Sequence, residues 1–138
     1  MPPYSRNATQ RVVKAPKLIM VDSALALAAA RETAPTGFHL ETLVASDLLI
    51  WRDQAPGRAL HHWRLASGQE VDFVLEEGGK LLPVEIKATA SIGTSEARHL
   101  RTFRERHPNA TRGIVLSSDT SIRVLSPGII AAPWRAVV

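Results

Sequence analysis

The sequence contains no cysteine. That excludes disulfides, thiolate metal sites and a cysteine nucleophile, and it is compatible with the reducing cytoplasm, the expected compartment. No apolar run approaches the ~20 residues that a membrane-spanning helix needs. The stretch MPPYSRNATQRVVKAPK at the N-terminus lacks the apolar core of a secretory signal. Aromatic residues make up only 5% of the chain, and Trp51, Trp63 and Trp134 are too dispersed to build a base-stacking platform. They read as core or interface anchors. No G-x-x-x-x-G-K-S/T motif occurs, so nucleotide binding through a P-loop is excluded. Internal repeats and low-complexity tracts are absent as well.

What is present suits one globular domain: 138 residues, of which 45% are hydrophobic and 22% charged. The formal net charge of +4 is not spread over the chain. Arg6, Arg11, Lys14 and Lys17 stand in the first seventeen positions with no acid among them, and the thirteen cations that follow match thirteen acids. The excess therefore belongs to residues 1–17, which read as a basic arm or linker remnant ahead of an α/β domain over 18–138. Such an arm either tracks a DNA backbone or stays disordered.

Along the body, Leu18–Val21 predicts a short buried strand. Asp22 or Ser23 caps an alanine- and leucine-rich helix through Arg31. A second helix is predicted over His39–Arg52, with Leu40, Val44, Leu48 and Trp51 on one face. Three strands follow, Ala59–Leu65, Glu70–Leu75 and Leu81–Ala88, joined by turns at Ser67-Gly68 and Gly78-Gly79, so they predict an antiparallel meander. Thr94 or Ser95 caps a helix to about His107. Gly113–Ser117 and Ile122–Leu125 read as strands, and the tail from Ile129, broken by Pro133, as an edge strand or extended packing. The expected fold is a mixed β-sheet, with its antiparallel three-strand meander, flanked by helices.

The chemistry concentrates in the meander. Alternation predicts Val71, Phe73 and Leu75 facing the core, with Glu70 and Asp72 opposite; Glu85 and Lys87 share the outer side of the next strand. Pairing through Gly78-Gly79 brings Asp72 and Glu85 to roughly opposite positions. Like charges on neighbouring strands repel. A divalent cation reverses that penalty, and hard carboxylate oxygens suit Mg²⁺ or Mn²⁺. Lys87 can position a water and offset developing negative charge. A plain alternative accounts for the same residues: a solvated strand face carrying a Glu–Lys pair. Glu70 and Glu76, on the side of Asp72, read as solvated. Adjacent His61 and His62 point to opposite faces and are not read as a metal pair. His107-Pro108 reads as a helix C-terminal signal. Arg98, Arg101 and Arg106 either grip phosphates or form a solvated surface.

The spacing of Asp72 and Glu85-Ile86-Lys87 on a hairpin resembles the PD-(D/E)XK nuclease superfamily, with its restriction-endonuclease-like fold. More narrowly, residues 4–138 resemble the uncharacterised C-terminal domain of bacterial and archaeal predicted AAA+ ATPases. Five segments carry this likeness: Lys14-Ala-Pro-Lys17-Leu-Ile-Met-Val-Asp22, Glu41-Thr-Leu-Val-Ala-Ser46, Trp63-Arg64, Gly68-Gln-Glu-Val-Asp72-Phe-Val and Val84-Glu85-Ile86-Lys87-Ala88. The superfamily's proline before the first acid is Val71 here. The resemblance implies a Mg²⁺-dependent nuclease domain acting on DNA. Asp72 and Glu85 would hold the metal with Glu41 assisting, and Lys87 would be the catalytic lysine. For Glu41 the plain alternative is pairing with a cation such as Arg64. The resemblance also implies an ATPase module in cis, and its absence makes the chain read as a fragment of such a protein. Two further readings stand beside this one: an inactive nuclease-like DNA-binding or regulatory module of an ATPase, and an interaction domain whose acidic pocket binds a protein. Nothing in the residues signals an oligomeric state.

Overall fold

The computed structural model describes residues 1–5, 15–20, 22–31 and 33–136. Helix α1 spans Ser23–Ala30. Asp22 opens it by accepting a hydrogen bond from the Leu25 N–H at 2.9 Å, and Arg31, at φ 55°, closes it. Helix α2 spans Gly37–Asp53. His39 Nδ1 accepts from the Thr36 N–H at 3.0 Å, which satisfies a donor at the helix entrance. Its expected face is present: Val44 and Leu48 are buried, and Leu40 and Trp51 are half-buried at its ends.

Strands β1 (Ala59–Arg64), β2 (Glu70–Glu77) and β3 (Lys80–Lys87) form the antiparallel meander. Helix α3 (Arg98–Arg106) crosses to β4 (Gly113–Ser117), which runs parallel to β3. Strands β5 (Arg123–Ser126) and β6 (Ile129–Pro133) complete a six-stranded sheet of order β1-β2-β3-β4-β6-β5. The sheet is mixed, as expected, and the meander is only its first half.

Two apolar clusters sandwich it. One joins Leu100 and Phe103 of α3 to Val71, Val74, Val115 and Ile129. The other joins Val44, Ala45 and Leu48 of α2 to Phe73, Val84, Ile86 and Leu116. Phe73 and Phe103 are fully buried, one in each, and each such side chain contributes about 1.5–3 kcal/mol by leaving water.

Several expectations are corrected. Leu18 is 88% exposed and residues 18–20 form no strand, so the apolar run there is not a buried one; Val21 lies outside the described residues. Helix α3 starts at Arg98, later than Thr94 or Ser95, because the Glu96 carboxylate accepts from the Gly93 N–H and the Ser95 hydroxyl and holds a turn there. The tail strand β6 lies inside the sheet, between β4 and β5, so the edge falls on β5. Burial of Ile129, Ala131 and Ala132 draws it inward, and Pro133 sits at its last position.

The first residues also depart from the picture of a free arm. Tyr4 is buried edge-on against Phe103 and His107. Its N–H donates to the His62 carbonyl at 2.6 Å, and the His62 N–H donates to the Pro2 carbonyl. Residues 2–4 thus extend the β1 side of the sheet. Arg6, Arg11 and Lys14 lie outside the described residues. No helix among the described residues is long and apolar enough to cross a membrane.

Candidate functional site

Strands β2 and β3 turn at Gly78-Gly79, whose φ angles of 56° and 75° suit glycine. From there the ladder runs from Glu77↔Lys80 to Phe73↔Val84 and stops, although both strands continue. Beyond that point β2 stays with β1 and β3 with β4. Asp72 and Glu85 are the next residues on their strands, as the sequence spacing predicts. Asp72 bridges the opening: its Oδ2 accepts from the Ile86 N–H at 2.8 Å.

Strand β2 carries a bulge at this point. His61 pairs with Val74 and Trp63 with Val71, so β2 spends one more residue than β1 over the same stretch. The bulge overturns the simple alternation. Val71 and Val74 join the α3-side cluster, while Phe73 joins the α2-side cluster.

Glu41 reaches the same end from α2. It pairs with the Lys17 ammonium, not with Arg64. Lys17 Nζ also lies 3.3 Å from Asp72 Oδ1 and 3.5 Å from Glu70 Oε1, and 5.9 Å above the Phe73 ring. Burial, aided by the charge of Asp72, pushes the Glu41 carboxyl up despite the Lys17 bond. Burial opposes the charge on Lys17, but its carboxylate partners outweigh that and raise its pKa. Glu70 and Glu76 are not simply solvated. Glu70 sits between Lys17 and Arg64, and Glu76 Oε2 lies 3.1 Å from His61 Nε2.

Glu85 is 5% exposed, which excludes the solvated strand face. Its Oε1 accepts from Lys87 Nζ at 2.8 Å and lies 3.8 Å from His99 Nδ1 on α3. Its Oε2 is buried with no hydrogen-bond partner. Burial first, then the charge of Asp72, pushes the Glu85 carboxyl up to about 7 against the pull of Lys87. Lys87 is raised too: its bond to Glu85 and the charges of Glu85 and Asp72 override the cost of burial. Lys87, His99, Arg98 and Arg101 border an open groove of about 330 Å³ over Glu85. Arg101 Nη1 donates to the Thr94 carbonyl at 3.0 Å. Arg106 lies outside that border.

The four residues singled out in the sequence thus gather at one end of the sheet in two linked groups. Glu41 and Asp72 share Lys17, and Glu85 holds Lys87. Asp72 couples them, since its charge acts on both glutamates. Among the described residues, no three His, Cys, Asp or Glu side chains already converge as a cage for a metal ion. The donor chemistry nevertheless suits a hard divalent cation: the charge of Asp72 holds both Glu41 and Glu85 up, and a buried Glu85 oxygen has nothing to bond. Lys17 and His99 are the members that sequence reasoning missed. Lys17 lies 55 residues from Asp72, beyond the reach of any local periodicity. Its one signal is its place in the Lys14–Asp22 segment of the family likeness. His99 precedes buried Leu100 and carries no signal of its own.

A mixed sheet covered on both faces, with acids and a lysine where two strands part, defines an α/β domain with a charged site at the sheet's open end. The chain belongs to the family described as domain of unknown function (DUF4143), whose model matches residues 36–137. A comparison with curated proteins finds no match. Among solved structures, the fold is similar to a chain in the refined half-complex from a tetradecameric assembly of Thermococcus gammatolerans McrB AAA+ hexamers with bound McrC. That likeness has a TM-score of 0.52 at 15% identity and covers 72% of this chain and 28% of that one.

Proposed function

We propose that this domain is a Mg²⁺- or Mn²⁺-dependent nuclease-type module of the PD-(D/E)XK kind, with a restriction-endonuclease-like core, that hydrolyses DNA phosphodiesters. The observation that carries the reading is Glu85: buried, bonded to Lys87 through one oxygen, and left without a partner on the other. Asp72 and Glu85 would hold the ion and Glu41 would assist. When bound, the ion supplies positive charge for the phosphate oxygens and an acidified water. Asp72 is fixed for this by the Ile86 N–H. Lys87 is held by Glu85 and remains 36% exposed, so its ammonium can face a phosphate in the groove and offset charge that grows there.

The likeness to a chain from an AAA+ assembly supports an ATPase partner for the whole protein, in cis or in an oligomer. A cytoplasmic location belongs to this proposal too, and the domain takes in residues 1–5 and Lys17, because Tyr4 joins its core and Lys17 its charged site. A second reading, an inactive nuclease-like DNA-binding or regulatory module, is favoured by one observation: the Lys17 ammonium already occupies the space between Glu41 and Asp72 and pairs with both.

Plasmid and oligonucleotide cleavage with Mg²⁺ or Mn²⁺, run with Asp72→Ala alongside, decides between them. Metal-dependent cleavage by the wild type and none by the variant supports the nuclease. Equal, background-level products from both, with DNA still bound, support the second reading.

A further inference from the structure

Lys17 comes from a different part of the chain than the acids it meets. Glu41 is on α2 and Glu70 and Asp72 on β2, while Lys17 belongs to no regular element. Its backbone is pinned on both sides. The Lys17 N–H donates to the Met1 carbonyl at 3.0 Å, and the Met1 ammonium donates to the Lys17 carbonyl at 2.9 Å. Its side chain is 21% exposed and forms part of the wall of a groove of about 480 Å³, with His62 and Arg64 nearby. Lys17 and the more exposed Arg64 face three carboxylates, so the cluster remains one cation short. The neighbouring Glu85 oxygen, in a residue 95% buried by its 5% exposure, also lacks a partner.

Resting on the reading of Asp72 and Glu41 as metal-binding groups, we propose that Lys17 is a tethered counter-cation. It holds these carboxylates in register in the metal-free chain and yields them to an entering divalent ion. An ammonium and a doubly charged ion repel each other strongly at the distance of a shared carboxylate. Hard carboxylate oxygens coordinate a doubly charged ion directly, whereas the ammonium offers them a single charge and charge-assisted hydrogen bonds. The open groove beside Lys17 gives its side chain room to swing away. The N-terminal segment thereby sets the threshold for metal loading, because the ion must displace a cation that cannot diffuse off.

Calorimetric titration of the full chain with MnCl₂ tests this. Lys17→Gln is expected to bind Mn²⁺ about tenfold more tightly than the wild type, a gain of ~1.4 kcal/mol. Lys80→Gln, which removes an exposed cation at the hairpin turn, is expected to leave affinity unchanged. A purely structural Lys17 would lower the melting temperature without tightening metal binding. Equal or weaker binding by Lys17→Gln overturns the counter-cation role and leaves the metal reading intact. No Mn²⁺ binding by either protein overturns both. The wild type offers a second measurement that no folding defect can obscure. Acylation of the Lys17 amine, followed by peptide mass spectrometry, is expected to speed up several-fold on adding Mn²⁺. An unchanged rate overturns the proposal.

Discussion

The two ends of the β2–β3 hairpin are built from the same strands and behave in opposite ways. At the turn, Glu77 and Lys80 close a regular ladder, and Glu77 pairs with Arg58 in solvent. At the other end backbone pairing ceases, a side chain takes over the Ile86 N–H, and acids crowd together half-buried. Charge is cheap where water screens it and costly where the sheet and two helices exclude water. The open end accepts that cost through Lys17 and Lys87, and the cost left over appears as the raised Glu85 carboxyl. A stability-driven fold would place its charges at the turn end only.

Four changes test this contrast, from the largest effect to the smallest. Asp72→Ala should reduce metal-dependent cleavage at least a hundredfold, equivalent to about 2.7 kcal/mol, and abolish Mn²⁺ binding in calorimetry. Cleavage at wild-type level would remove the open end's claim to chemistry.

Next in size is the pH response. The Glu85 carboxyl titrates near 7 in the folded chain against an ordinary 4.5. Between those values the folded state holds a proton that the unfolded state has lost. Stability should therefore fall as pH rises from about 4.5 to 7, by roughly 1–3 kcal/mol, and Glu85→Gln should flatten that part of the profile. The same protonation competes with a metal ion, so Mn²⁺ affinity should weaken as pH drops below 7. Urea denaturation at stepped pH measures the first effect and titration calorimetry the second.

At the turn end, Gly79→Ala should cost about 1–2 kcal/mol, because its φ of 75° is left-handed while the space around it is open. Metal affinity should not move. Glu77→Gln should be the mildest, within about 0.5 kcal/mol in thermal melts, since it breaks only an exposed pair with Arg58. A larger loss there would show that the two ends are not electrostatically independent.

The hairpin was legible because its information is local. Gly78-Gly79 and the flanking apolar alternation set the turn and, through it, the registration of Asp72 near Glu85. Gly113–Ser117 was equally plain, an apolar run buried from both faces. The missed features depend on contacts distant in sequence. The bulge at Asp72 arises from how β1 and β2 pair, and no residue type announces it. Tyr4, Lys17 and His99 acquire their roles from partners in other elements. The place of β6 inside the sheet follows from its parallel pairing with β4, which the tail's own proline-broken pattern obscures. Leu18–Met20 shows the converse: local apolarity predicts a buried strand, but only Ile19 packs against the α2-side cluster while Leu18 faces solvent.

The bond from the Ile86 N–H to Asp72 has a spectroscopic consequence. Most sheet amides answer to a neighbouring carbonyl, whose charge never changes. This one answers to a carboxylate, so its proton resonance should move with whatever neutralises Asp72, be it a proton, an ammonium or a metal ion. A single backbone amide at the centre of the sheet thus acts as a voltmeter for the site, readable without substrate.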